Sequence, residues 1–151
     1  HYPLRRQRQM CIRDRACDYA IATTTAAVRL SELAIGIGPF VIAPAVARKM
    51  GSAALASLAL QPKEWKTAAW ALSQGLYAEV HPDFETANSA AIALAKQLAA
   101  YAVDAVAELN KTLWADTDHW AELLPNNAEI SGRLLLLPET QATLKQLKSN
   151  T

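Results

Sequence analysis

The sequence predicts an α/β chain in which a few short strands are followed by a helical C-terminal region. Short apolar runs bounded by turn residues fall at residues 17–23, 27–33 and 76–80, the pattern from which strands are read. From residue 64 onward most apolar residues recur at helical spacing. Glycine and proline cluster between the early strands and the first helix, where regular structure would not tolerate them.

In residues 17–23, Tyr19 and Ile21 share one face and the small Ala20 and Ala22 the other, which suits a strand packed closely on its neighbours. Residues 27–33 read as a second strand, and Gly36, Gly38 and Pro39 as the loop after it. Pro44 opens a helix that Gly51 is placed to end, and Ser52 caps another that runs to about Gln61-Pro62. Residues 64–74 read as a helix with Trp65, Ala68, Ala69 and Leu72 on one face, stopped by Gly75. A short strand follows at 76–80. Asp83 then caps a long helix whose Ala87, Ala90, Ala91, Leu94 and Leu98 repeat at helical spacing. Val103, Val106, Leu109 and Leu113 mark the next helix. Apolar periodicity over 120–137 is expected to break around Pro125 and Gly132, and Pro138 and Glu139 open a terminal helix with Leu144 and Leu147. Two or three strands do not make a good sheet alone, so the early strands read as the last members of a larger one.

The composition, 52% hydrophobic and 19% charged over 151 residues, suits one compact domain with a real core. The longest uncharged run, residues 33–47, is interrupted by glycine and proline and is shorter than the ~20 residues a spanning helix needs, so no membrane partner is expected. Of fifteen basic and fourteen acidic residues, five arginines and Asp14 fall in residues 1–15. That leaves ten basic and thirteen acidic residues in 16–151, a net charge of −3 without the basic stripe that nucleic-acid binding requires. Cys17 is the single cysteine outside the first fifteen residues. It reads as a small buried hydrophobe on a strand in a reducing, cytoplasmic compartment.

Residues 1–15 differ from the rest. They are basic, lack an apolar period and contain no h-region of the kind a secretory signal needs. The string Met10-Cys11-Ile12-Arg13-Asp14-Arg15 looks like the translation of a transposon-end adapter used in DNA library preparation. We therefore read 1–15 as a foreign segment, 16–80 as part of an α/β core, and 81–151 as a C-terminal helical region.

The candidate site is Glu32, a lone carboxylate inside an apolar run at the mouth of the Gly36–Pro39 loop. Apolar walls and loop backbone are a common setting for an acid that exchanges protons. Cys17-Asp18, followed by Val28-Arg29-Leu30-Ser31-Glu32-Leu33-Ala34-Ile35-Gly36, resembles the crotonase (enoyl-CoA hydratase/isomerase) superfamily. There an Ala/Cys-Cys-Asp strand precedes "Phe-Gly-x-x-Glu-x-x-x-Gly-x-x-Pro". Ala68-Ala69 and Gly75-Leu76-Tyr77-Ala78-Glu79-Val80 match the later "Ala-x-x-Ala-x-x-x-Gly-Leu-Val-x-x-Val" pattern, so the resemblance covers nearly all of 16–151. It implies the C-terminal part of a crotonase-like spiral fold, an acyl-CoA thioester substrate, and no cofactor beyond the coenzyme A that substrate carries. It also implies a homo-oligomer, a trimer or dimer of trimers, and no metal. Glu32 takes the place of a catalytic acid/base, with Leu33, Gly36, Pro39 and Phe40 beside the substrate.

Two departures stand out. The family's first catalytic Glu lies six residues before the Asp of its Cys-Asp pair, which falls here on Ile12, and its oxyanion-hole loops lie further upstream. The expectation is thus a truncated hydratase/isomerase, inactive as it stands and poor at folding alone. The alternative is a short non-catalytic interaction or assembly module derived from the same fold. Coding sequence upstream of residue 16 would separate the two. The second departure is Gly38-Pro39-Phe40-Val41-Ile42, which replaces the common Pro-Gly-x-Gly-Gly loop and looks more like methylglutaconyl-CoA hydratase-like members.

The remaining polar residues carry weaker readings. His81 and His119 lack metal-ligand spacing, Asp116 and Asp118 read as a polar turn with a helix cap, and Ser31 has no histidine base near it in sequence. Trp65, Trp70, Trp114 and Trp120 read as core or interface residues on helices.

Overall fold

The computed structural model describes residues 17–149; the foreign-segment reading of 1–15 lies outside them. Strand β1 (Ile21–Thr23) runs parallel to β4 (Glu79–His81), with Ala22 opposite Val80. Strand β2 (Ala27–Val28) pairs antiparallel with β3 (Lys66–Thr67). Around these strands lie helices α1 (Ala43–Ala59), α2 (Ala68–Ser73), α3 (Phe84–Ala99), α4 (Val103–Leu113), α5 (Trp120–Leu135) and α6 (Pro138–Ser149). This is the α/β order expected, few short strands and then helices.

The core is built from the first half of the chain. Val28, Leu30, Val46, Leu58, Ala68, Ala71 and Leu76 are all buried, together with Ala20 just before β1 and Ala22 within it. Small residues at Ala20, Ala22, Ala68 and Ala71 let strands and helices approach closely. Helices α3, α4 and α5 bury no side chain within the described residues. Phe84, Val103 and Leu109 stand exposed on α3 and α4. No single helix among the described residues is long and apolar enough to cross a membrane.

Several boundaries differ from the sequence reading. The first strand starts at Ile21, and Cys17 is exposed ahead of it rather than buried on it. The second strand stops at Val28, because its partner β3 is two residues long and offers no ladder bonds beyond Lys66. Residues 64–67 are not helical, because Lys66 and Thr67 pair with β2. Helix α2 starts only at Ala68, capped by the Thr67 hydroxyl, which accepts from the Trp70 N–H at 3.2 Å. Trp65 therefore lies off the helix, half-exposed beneath the Arg29 guanidinium at 4.4 Å.

The last strand begins at Glu79, although the Ala78 N–H already bonds the Ala20 carbonyl at 2.8 Å. Gly51 breaks α1 as the sequence reading expects: its φ of 81° and ψ of 164° are non-helical, so Ala43–Ala59 is two helices that meet at a kink there. Helix α5 runs unbroken past Pro125 and Gly132. The proline forfeits one bond, to the Ala121 carbonyl in the first turn, and the glycine costs only propensity. Asp83 does cap α3, its carboxylate accepting from the Thr86 N–H at 2.8 Å.

The Thr67 cap gives a test of this assignment. Thr67→Ala should lower stability by about 1 kcal/mol, read as a shift in the urea midpoint, while Thr67→Ser keeps most of the wild-type value. Equal losses in both variants would place the effect in β3 pairing rather than in the cap.

Candidate functional site

Glu32 opens a 3₁₀ turn, Glu32–Ile35, instead of closing a strand. The turn is closed by local bonds: the Gly36 N–H reaches the Leu33 carbonyl and the Ile37 N–H the Glu32 carbonyl, each at 3.2 Å. Gly36 has φ 86°, in the left-handed region that glycine enters without steric cost. After it the chain passes Pro39, whose carbonyl accepts from the Ala43 N–H at 2.8 Å to launch α1. The Phe40 ring folds back over Gly38.

Oε2 of Glu32 is buried and takes no hydrogen bond from any described residue. Buried polar oxygens are nearly always paired with protein or with water, so one that no protein group satisfies is open to a water or a substrate. Leu33 next to it is half-exposed, and Gly36, Pro39 and Phe40 continue the same loop, so the five residues singled out in the sequence share one segment. Among the described residues no second carboxylate and no nearby histidine bonds to Glu32.

Two residues that hold this loop were not legible in the sequence. The Thr140 hydroxyl, on α6 and almost wholly buried, donates to the Gly36 carbonyl at 3.3 Å. The Asn127 side-chain amide, on α5, donates to the Phe40 carbonyl at 2.9 Å. They lie 104 and 87 residues from their partners, too far for any local pattern to connect them.

Asp18, of the Cys-Asp pair, has a tying role. Its carboxylate meets the Arg48 guanidinium and the Asn110 amide, each at 3.3 Å. Arg48 also donates to the Leu113 carbonyl at 2.6 Å and lies 4.0 Å from the Trp114 ring centre. A cation at the last carbonyls of a helix opposes the negative end of its dipole, so Arg48 fastens the end of α4 to the core. Trp114 meets Trp120 edge to face at 6.0 Å.

A second polar cluster joins β1 to β4. The Tyr19 hydroxyl donates to Glu79 at 2.7 Å, and the other Glu79 oxygen lies 2.7 Å from His81 Nε2. The bond from Tyr19, then that from His81, holds the Glu79 carboxyl below its ordinary value of 4.5. The same bond to Glu79 raises Tyr19 above its ordinary 10.0. The depressed acid contributes stability that is present above pH 4.5 and lost as pH falls through its folded value. The raised phenol contributes below pH 10.0 and is lost as pH rises through its folded value. We expect strand pairing to be firmest between those limits. Tyrosine absorbance titrations of wild type and Glu79→Gln check it: the variant's phenol should ionise at lower pH, and an unchanged midpoint would count against the cluster. No group of three or more His, Cys, Asp or Glu side chains among the described residues is placed to hold a metal ion.

This strand pairing, the turn-borne glutamate and the helices that follow define a chain of the crotonase class. The chain belongs to the enoyl-CoA hydratase/isomerase family, whose sequence profile matches residues 13–147. Among solved structures it is similar to an enoyl-CoA hydratase/isomerase from Pseudoalteromonas atlantica T6c, with a TM-score of 0.81 at 20% identity over 91% of this chain and 55% of that one. It is similar to carnitinyl-CoA hydratase from Mycobacterium avium, with a TM-score of 0.78 at 22% identity over 91% of this chain and 54% of that one. An enoyl-CoA hydratase from Bacillus halodurans matches with a TM-score of 0.78 at 22% identity, over 87% of this chain and 53% of that one. The chain thus spans about half the length of these structures, and the likeness at such identity is one of fold. No curated protein sequence matches it significantly.

Proposed function

We propose that this chain supplies the Glu32 part of an acyl-CoA hydratase/isomerase site, in which Glu32 moves a proton at an acyl carbon of an enoyl-CoA thioester. The observation that carries this reading is the buried, unpaired Oε2 of Glu32 on a loop whose spacing matches the family pattern. Thioester chemistry of this kind needs an acid/base at the carbon and donors that hold the carbonyl oxygen as it becomes enolate-like. Glu32 answers the first need. The second, with the family's other glutamate, belongs to the remainder of the full-length protein. Leu33, Gly36, Pro39 and Phe40 border the acyl group, and the Gly38-Pro39-Phe40 sequence favours methylglutaconyl-CoA hydratase-like geometry. The chain alone is inactive, and the working enzyme is a cytoplasmic homo-oligomer with no cofactor beyond the coenzyme A of its substrate.

The test is hydration of a short enoyl-CoA by the full-length protein. Failure of the folded oligomer to turn over or isomerise any enoyl-CoA would sink the reading. The alternative, a non-catalytic assembly module, is favoured by one observation: helices α3 to α5 bury no side chain and expose Phe84, Val103 and Leu109. That reading expects wild-type function from Glu32→Gln.

A further inference from the structure

The geometry points to Thr140 and Asn127 as positioning residues that set the Glu32 carboxylate for proton transfer, an inference that rests on the acid/base reading of Glu32. They come from two different helices of the C-terminal region and grip the loop at both ends, Thr140 at the Gly36 carbonyl and Asn127 at the Phe40 carbonyl. The path from Thr140 to the carboxylate is short. Its hydroxyl holds the Gly36 carbonyl, and the peptide nitrogens of Gly36 and Ile37 close the turn onto the carbonyls of Leu33 and Glu32. A shift of the Gly36 peptide therefore moves the first residue of the turn, which is Glu32. Thr140 is the one buried polar or charged residue among the described residues, at 1% exposure. Its hydroxyl bonds the Gly36 carbonyl, and a methyl in its place would leave that carbonyl without this partner.

The loop cannot hold this geometry by itself. Its internal bonds are the short-range ones of a single 3₁₀ turn, which is a weak unit in isolation. Glu32 Oε2 receives no hydrogen bond that would fix it directly. The backbone that carries it is held from outside by these two side chains. Misplacement of a reacting group by about 1 Å costs up to ~100-fold in rate, so a clamp on the loop acts on turnover more than on substrate binding.

The experiment is steady-state hydration of a short enoyl-CoA by the full-length protein, with wild type, Thr140→Val, Thr140→Ser, Asn127→Leu and Glu32→Gln side by side. Thr140→Val keeps the shape and deletes the hydroxyl; it should lower kcat about 10- to 100-fold with KM changed less than about threefold. Thr140→Ser restores the hydroxyl and should recover most of kcat, a rescue that a purely space-filling role would not give. Asn127→Leu should behave like Thr140→Val, and it carries the test alone if Thr140→Val does not fold. Wild-type kcat in the folded Val and Leu variants, or equal losses in the Val and Ser variants, would overturn the positioning role. If those variants are fully active while Glu32→Gln is dead, the catalytic reading stands and only this inference falls. If Glu32→Gln is itself fully active, both fall together.

Discussion

In the full-length protein, Glu32→Gln is expected to lower kcat for enoyl-CoA hydration about 10²–10⁴-fold, the range one positioned acid/base contributes. Gln matches Glu in size and keeps an oxygen at the side-chain end, so packing against the 3₁₀ turn is preserved while the transferable proton is lost. Because Oε2 accepts no hydrogen bond from the described residues, the amide should break no existing contact. The fold should therefore persist, with an unchanged circular dichroism spectrum and near-unchanged affinity for the thioester. The expected signature is a fall in kcat with KM nearly constant, which marks an interaction made in the transition state alone. Near-equal kcat values in the two forms would make Glu32 a structural acid and remove the catalytic reading of this loop.

The loop was legible because the information is local. Gly36 and Pro39 mark it in the sequence, and Gly36 does lie in the left-handed region, whereas the 3₁₀ turn that begins at Glu32 reads in the sequence as the end of a strand. The Asp83 cap was legible for the same reason, since the carboxylate and the N–H it satisfies lie three residues apart. Strand lengths were not legible: β2 ends where β3 ends, and a partner's length is not written in the strand. The placement of Cys17 failed because a residue type common in cores says nothing about whether a ladder extends to it. Thr140 and Asn127 look in sequence like ordinary polar residues on amphipathic helices. Only the tertiary docking of α5 and α6 over the loop gives them a task.

Gly36→Ala should be the most damaging small substitution near the site, for two separable reasons. An L-residue at φ 86° costs about 1–2 kcal/mol in backbone strain. A Cβ there would also lie 2.5 Å from the Thr140 hydroxyl oxygen and 3.3 Å from its Cβ, so α6 must retreat or the loop must shift, at a further cost of roughly 1–3 kcal/mol. The total should be roughly 2–5 kcal/mol in a urea melt, accompanied by loss of turnover as the Glu32 turn is displaced. The two parts can be divided by a double-mutant cycle. Thr140→Ala removes the oxygen at 2.5 Å and leaves the backbone strain untouched. In that background Gly36→Ala should cost only the strain and the milder contact with the remaining Cβ. The two losses should therefore be clearly less than additive, because both act on one contact between α6 and the Glu32 loop. Strict additivity would mean that Thr140 does not press on Gly36 in solution, and that the C-terminal helix is not seated on the loop as the geometry requires.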